Sequence, residues 1–186
     1  FWWAILDNGL PTDYATLLFD KDSLLTTTTQ TPDIFYADSL APVSSQKNVS
    51  LDGTFYLDAS NVGVRVFAFD RCTGKLQIVK KHRYPPQQGL ILRQGMPCSI
   101  AMSPNNRFVY MCTDTFLYQY DMEASDFVTS RVILHKGLPY RFTKGWNLNS
   151  SDTLGEFYRM SHGPDGKIYI LGDPLATDIY VIQQPN

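Results

Sequence analysis

Glu156, Arg159 and His162 stand close together in the run GEFYRMSHGPDG. A carboxylate, a guanidinium and an imidazole are the groups from which a hydrolase builds a base, an oxyanion clamp and a proton carrier. They match no family motif, and the run reads more simply as an innermost strand with its turn. The other two histidines, His82 and His135, show no H-x-H or H-E-x-x-H spacing with anything, so all three read as structural or solvent-exposed imidazoles. No Gly-x-Ser-x-Gly elbow, phosphate loop or dinucleotide fingerprint is present. Asp20, Asp70 and Asp121 each follow an apolar strand-like run, where a carboxylate can accept hydrogen bonds from the N–H groups of the next turn. The closest approach to a calcium loop, DKDS at 20–23, lacks the length and the glycine of one.

Cys72, Cys98 and Cys112 are too widely spaced for a zinc knuckle. Cys112, inside FVYMCT, reads as a small buried hydrophobe, and a Cys72 to Cys98 bridge is open to an exported protein. Trp2 and Trp3 are adjacent in a strand, so one points to each face and at least one belongs to a core. Trp146, in a polar segment, is the aromatic best placed to stack on a sugar ring. No catalytic, cofactor or metal site is therefore assigned. Trp146, Arg159 and His162 are the candidate ligand contacts.

The elements that hold these residues repeat. SLDGTFYLDAS from Ser50, SPNNRFVYMCT from Ser103 and GPDGKIYILGD from Gly163 each pair a four-residue turn with a strand. A second apolar strand follows each, as VRVFAFD, FLYQYD and DIYVIQ. The opening YATLLFDKDSL matches VRVFAFDRCTGKL, with Phe19 and Asp20 in the places of Phe69 and Asp70. Units of roughly 40 to 60 residues, each giving about four short strands, mark a β-propeller. Strands apolar on both faces suit sheets stacked between neighbours.

The expected fold is all-β: a propeller segment of about three to four four-stranded antiparallel blades, part of a larger ring. Residues 1–186 form one partial domain with units at 1–30, 31–85, 86–140 and 141–186. Residues 25–46 and 136–155 read as a connecting segment and a surface insertion. FWWAIL is too short for a signal peptide or anchor and reads as a strand already under way, so the chain is expected to be a piece of something longer.

The totals agree with a folded sheet protein: 44% hydrophobic, with 11 Tyr and 11 Phe among 186 residues. A formal net charge of -2 without a basic block speaks against nucleic acid as a partner. No apolar run approaches the roughly 18 residues of a membrane span.

The combination of WW near the start with FDRCTGKL, AMSPNNRFVYMCTDTFLYQYDMEA and MSHGPDGKIYIL resembles secreted or cell-surface β-propeller proteins of Bacteroidetes, related in style to the lactonase-like and WD-repeat propellers. Members often carry a carboxy-terminal sorting domain for type IX secretion. The resemblance implies export to the periplasm or cell surface and supplies no activity. The function expected is a non-catalytic scaffold displaying loops for protein or glycan interaction or surface assembly, without a cofactor. Its partners are then the rest of its own propeller, or another chain covering the open sheet edges, with glycans as candidate ligands. The alternative is a lactonase-like hydrolase with its site at the propeller mouth.

Overall fold

The computed structural model of the protein describes residues 2–7, 14–21, 23–30, 44–60, 63–83, 97–113, 116–136, 140–141, 153–154, 159–172 and 179–186. These residues are strands and turns, with no helix among them. The first sheet joins β1 (Trp2–Asp7), β2 (Tyr14–Asp20) and β3 (Ser23–Gln30). The second joins β4 (Ser44–Val49), β5 (Phe55–Ser60), β6 (Gly63–Asp70) and β7 (Lys75–Arg83), in that order. The third joins β8 (Pro97–Met102), β9 (Phe108–Thr113), β10 (Phe116–Asp121) and β11 (Val132–Lys136). A short ladder of β12 (Tyr140–Arg141) and β13 (Thr153–Leu154) precedes the last sheet, β14 (Arg159–His162), β15 (Ile168–Leu171) and β16 (Ile179–Ile182). Every pairing is antiparallel between consecutive strands. β4 packs on β8 and β8 on β14, so the first strand of each of these sheets turns toward a common axis. The chain is a β-propeller segment of four-stranded blades.

The connecting segment at 25–46, read as holding one strand, begins with an outer strand, and its residues 31–43 lie outside the described residues. Residues 25–30 belong to β3, where β-branched threonines suit an extended backbone that stays largely in water. The segment 136–155 likewise carries the β12–β13 ladder rather than loop alone.

The last three blades join their first and second strands by the same device. Ser50 N–H donates to Phe55 O and Gly53 N–H to Ser50 O, both at 2.9 Å, while Ser50 Oγ accepts from Phe55 N–H. Ser103, Asn106 and Phe108 repeat the pattern, and Gly163 and Gly166 repeat its backbone part in a loop one residue tighter. The fourth turn residue is left-handed in all three, at φ +72° for Gly53, +61° for Asn106 and +76° for Gly166. Glycine and asparagine tolerate that geometry, which is why they recur there.

The stretch VFAFDRCTGKLQIV is the outer hairpin β6–β7. The Asp70 carboxylate accepts from the N–H groups of Cys72 and Thr73 at 2.8 and 3.4 Å, and Asp121 caps Glu123 in the same way at 2.9 Å. Gly74 has φ +70°, and a Cβ there would run into the Trp3 ring. Cys72 is an exposed free thiol, Cys112 is buried, and the side chain of Cys98 lies outside the described residues.

The seams between blades are mainly apolar. Leu57, Val64 and Val66 meet Ile100, Met102 and Met111 between the second and third blades, and Ala101 and Tyr110 meet Met160 and Ile170 between the third and the last. Between the first and second blades, Tyr14, Tyr56, Phe67 and Leu76 enclose a polar cluster. Tyr14 O–H donates to Asp58 Oδ2 at 2.5 Å, and Arg65 forms an ion pair with the same carboxylate and donates to the Tyr14 oxygen at 2.6 Å. All three are 2–3% exposed. Burial, and then the adjacent Asp58 charge, push the Tyr14 phenol far up, outweighing the pull of Arg65, so it stays protonated and donates. Gln30 adds a second tie: its amide donates to Gly74 O at 2.6 Å and accepts from Leu76 N–H at 2.8 Å, imitating one more rung of β7.

Removing one member of a buried ion pair strands the other in the seam. Asp58→Leu is expected to destabilise the protein by about 3–5 kcal/mol. The double variant Asp58→Leu with Arg65→Met is expected to recover most of that loss, as denaturant midpoints will measure. At the next seam His82 is buried with its Nδ1 3.1 Å from Tyr120 Oη, and burial, then Arg131, lower its pKa below 6.5 despite Asp126. A depressed imidazole favours the fold only while neutral. Stability is therefore expected to be complete above about pH 6.5 and to fall as the pH drops toward the folded-state pKa. Thermal melts of His82→Gln across this range should lack that part of the pH dependence.

Candidate functional site

Of the sequence cluster around the third turn, the structure describes Arg159 and His162. Arg159 and His162 both lie on β14 but on opposite faces, because strand side chains alternate. Met160 and His162 face the third blade: Met160 packs with Ala101 and Tyr110, and His162 Nε2 lies 2.6 Å from Met102 O. A carbonyl only accepts, so Nε2 carries the hydrogen of this bond. Arg159 and Ser161 share the other face and are exposed, with Leu171 and Tyr169 as cross-strand neighbours. Trp146 and Glu156 lie outside the described residues.

What converges instead is the set of inner strands. Asn48 Nδ2 on β4 donates to Ile100 O on β8 at 3.1 Å, and Met160 N–H on β14 donates to Ser99 Oγ on β8 at 2.7 Å. Together with the His162 bond, these ties draw three first strands side by side. Arg159 stands at the start of β14, at the end of the axis opposite the Ser50, Ser103 and Gly163 turns. Arg159 and Ser161 are the exposed polar side chains of β14 there. No group of three or more His, Cys, Asp or Glu among the described residues is placed to hold a metal ion.

An open cleft of about 470 Å³ lies between the first and second blades, lined by Trp2, Trp3, Ile5, Lys47, Val49 and Tyr56, among others. Trp2 stacks on Phe19 with centroids 4.2 Å apart and is 51% exposed. Trp3 turns the other way, edge-on to Phe69, and donates from Nε1 to Arg71 O at 2.8 Å.

The buried trio of Tyr14, Asp58 and Arg65 was not among the sequence candidates. Its signal is the break in pattern: a lone Asp in FYLDAS and a lone Arg in GVRVFAFD, which the β5–β6 hairpin sets opposite each other. The trio is buried and joins the first two blades, with Tyr14 packed edge-on against Tyr56 of the cleft wall.

No protein-family model and no curated protein matches the sequence. Solved structures do. The periplasmic gluconolactonase of Pseudomonas aeruginosa matches with TM-score 0.51 and 18% identity over 73% of this chain and 37% of its own. A protein from Lactobacillus plantarum matches with TM-score 0.55 and 11% identity, over 96% of this chain and 50% of its own. Kuenenia stuttgartiensis hydrazine synthase matches with TM-score 0.50 and 14% identity, over 96% of this chain and 42% of its own. The chain thus spans half or less of the length of these proteins. At such identities the likeness is one of fold. The expectation of a non-catalytic scaffold, and of a protein that is not an enzyme, is nevertheless corrected here. The finding against it is that gluconolactonase is the name borne by a structure built on this fold.

Proposed function

We propose that the intact protein is a lactonase-like hydrolase acting on a small sugar-acid lactone at the propeller mouth. The observation that carries this reading is the convergence of β4, β8 and β14 on one axis, with an exposed guanidinium at the mouth, in a fold shared with a gluconolactonase. Hydrolysis opens the ring in a balanced step. Water adds to the lactone carbonyl, the ring C–O bond of the tetrahedral intermediate breaks, and the ring oxygen leaves as a hydroxyl beside a new carboxylate, with one proton released at neutral pH. Negative charge develops on the carbonyl oxygen in the transition state. Arg159 can pair with that oxygen or hold the carboxylate of the product, since its fork of N–H donors suits both.

Export belongs to the same proposal. The word periplasmic in the name of the matched gluconolactonase supports it, and the resemblance to Bacteroidetes surface propellers adds the type IX route as the specific form. Fractionation of source cells tests it by whether the protein leaves the cytoplasm.

The activity test uses the intact protein with glucono-δ-lactone, followed by base consumption in a pH-stat against spontaneous opening. Wild type is expected to accelerate opening, and Arg159→Ala to lower kcat/KM by roughly 10²- to 10³-fold, the loss typical of removing one oxyanion donor. Arg159→Lys should retain part of the rate because it keeps the charge without the fork. No acceleration across several sugar lactones would remove the hydrolase reading, and full activity in Arg159→Ala would remove this residue from it.

A further inference from the structure

The inner strand of the last sheet is short, and two side-chain ties hold it to the third blade. β14 runs only from Arg159 to His162. At its turn end His162 Nε2 meets Met102 O, and near its other end Met160 N–H donates to Ser99 Oγ at 2.7 Å. That N–H belongs to the peptide joining Arg159 to Met160, so the Ser99 hydroxyl grips the backbone directly beside the exposed arginine. Ser99 and Arg159 occupy the same place on adjacent inner strands, each four residues before its turn opens, at Ser103 or at Gly163. Ser99 is fully buried, and the seam around it, with Ala101, Tyr110, Met160 and Ile170, is otherwise apolar. Its aim is set by a β-bulge. Pro97 pairs with Thr113 and Ser99 with Cys112, so one extra residue of β8 is inserted just before Ser99. Bulges re-aim the side chains next to them.

We propose that Ser99 is a positioning residue for Arg159 in lactone opening, an inference that rests on the hydrolase reading given above. A guanidinium stabilises a developing oxyanion only if its N–H fork is held within about 0.5 Å of the productive geometry. Arg159 is the first residue of its strand, where the ladder to β15 begins with the Leu171 pair and where backbone opens most easily. The Ser99 bond fixes the next peptide group from the opposite side. The backbone at Arg159 is thus held by β15 on one edge and by β8 on the other. In this role Ser99 touches no substrate. It is buried in the seam and acts through the peptide that carries Arg159. Asn48 makes a comparable tie one seam away, donating to Ile100 O at 3.1 Å between β4 and β8, and it has no contact with β14 through that bond.

Three readouts on the intact protein test this. In the wild type, with no variant needed, the Met160 amide is expected to exchange at least about tenfold more slowly than an unprotected amide. Ser99→Ala should lower the NMR order parameters of the Arg159 backbone N–H and Nε–H, the former from about 0.85 toward about 0.6, while Asn48→Ala leaves both as they are. On glucono-δ-lactone, Ser99→Ala is expected to lower kcat/KM by about 10- to 10²-fold, and Asn48→Ala by no more than about twofold. Added to Arg159→Ala, Ser99→Ala should cost no more than about twofold, because a residue that acts through another is silent once that other is gone. Free exchange of the Met160 amide overturns the proposal. So does an unchanged Arg159 order parameter in Ser99→Ala, or an equal loss of kcat/KM with and without Arg159, which would mark a tie that is only structural. Failure of the wild type to open any lactone removes the hydrolase reading instead, and the exchange and order-parameter results then still decide whether Ser99 holds Arg159.

Discussion

Asp58 and Arg65 sit across one hairpin, each about as buried as the leucines around them, and Tyr14 of the neighbouring blade closes over both. The rest of the architecture depends on the constraint this trio answers. A blade in the middle of a stack has no wet face, so any polar group in its central strands must find its partner inside the seam. Two charges taken out of water gain little net stability. What they supply is registration, since Tyr14 reaches the carboxylate only when β2 lies at one height along β5 and β6. An all-apolar seam would let the sheets slide, whereas a shared carboxylate and a sealed guanidinium admit one offset.

The same logic runs through the other seams in a milder form. Inner strands lend backbone or hydroxyl acceptors to their neighbours: Ile100 O to Asn48, Ser99 Oγ to Met160 and Met102 O to His162. Tyr110 O–H reaches Pro185 O at 2.9 Å, and burial pushes that phenol up to about 12, keeping it a donor. The outer ends are tied by Gln30 and by Lys80, which donates to Ala124 O at 3.1 Å. Inner strands tied in this way form a rigid frame, from which loops and strand ends project. His162 shows the cost of this economy: an imidazole that looks reactive in the sequence is occupied in holding two inner strands together.

The fold was legible because turn chemistry repeats. SLDG, SPNN and GPDG require a left-handed fourth residue, and the apolar strands after them have no polar face to give to water. Asp70 and Asp121 read correctly as turn caps for the same local reason. The strand within 25–46 begins that segment as β3, because each of its four threonines is β-branched and an outer strand stays wet on both sides. Strand alternation sends Arg159 and His162, three apart, to opposite faces of β14. The Tyr14, Asp58 and Arg65 trio was hidden because Tyr14 lies far away in the chain, and only the stacking of two blades brings it near.

Arg159 and Arg65 pose the same physical problem with different answers. Arg65 lies in the middle of a seam, where an unpaired guanidinium would cost several kcal/mol, and Asp58 is set opposite to meet it. Arg159 lies at the first position of its strand, on the face of β14 that turns away from the third blade, beside Ser161 and across from Leu171. No described carboxylate pairs with it. At the end of a strand its long side chain can reach the open mouth while its methylene stem covers apolar surface, so the charge stays in water. An exposed cation needs no buried partner, because water solvates it. That placement, rather than any sequence motif, is what separates Arg159 from the arginine that only holds blades together.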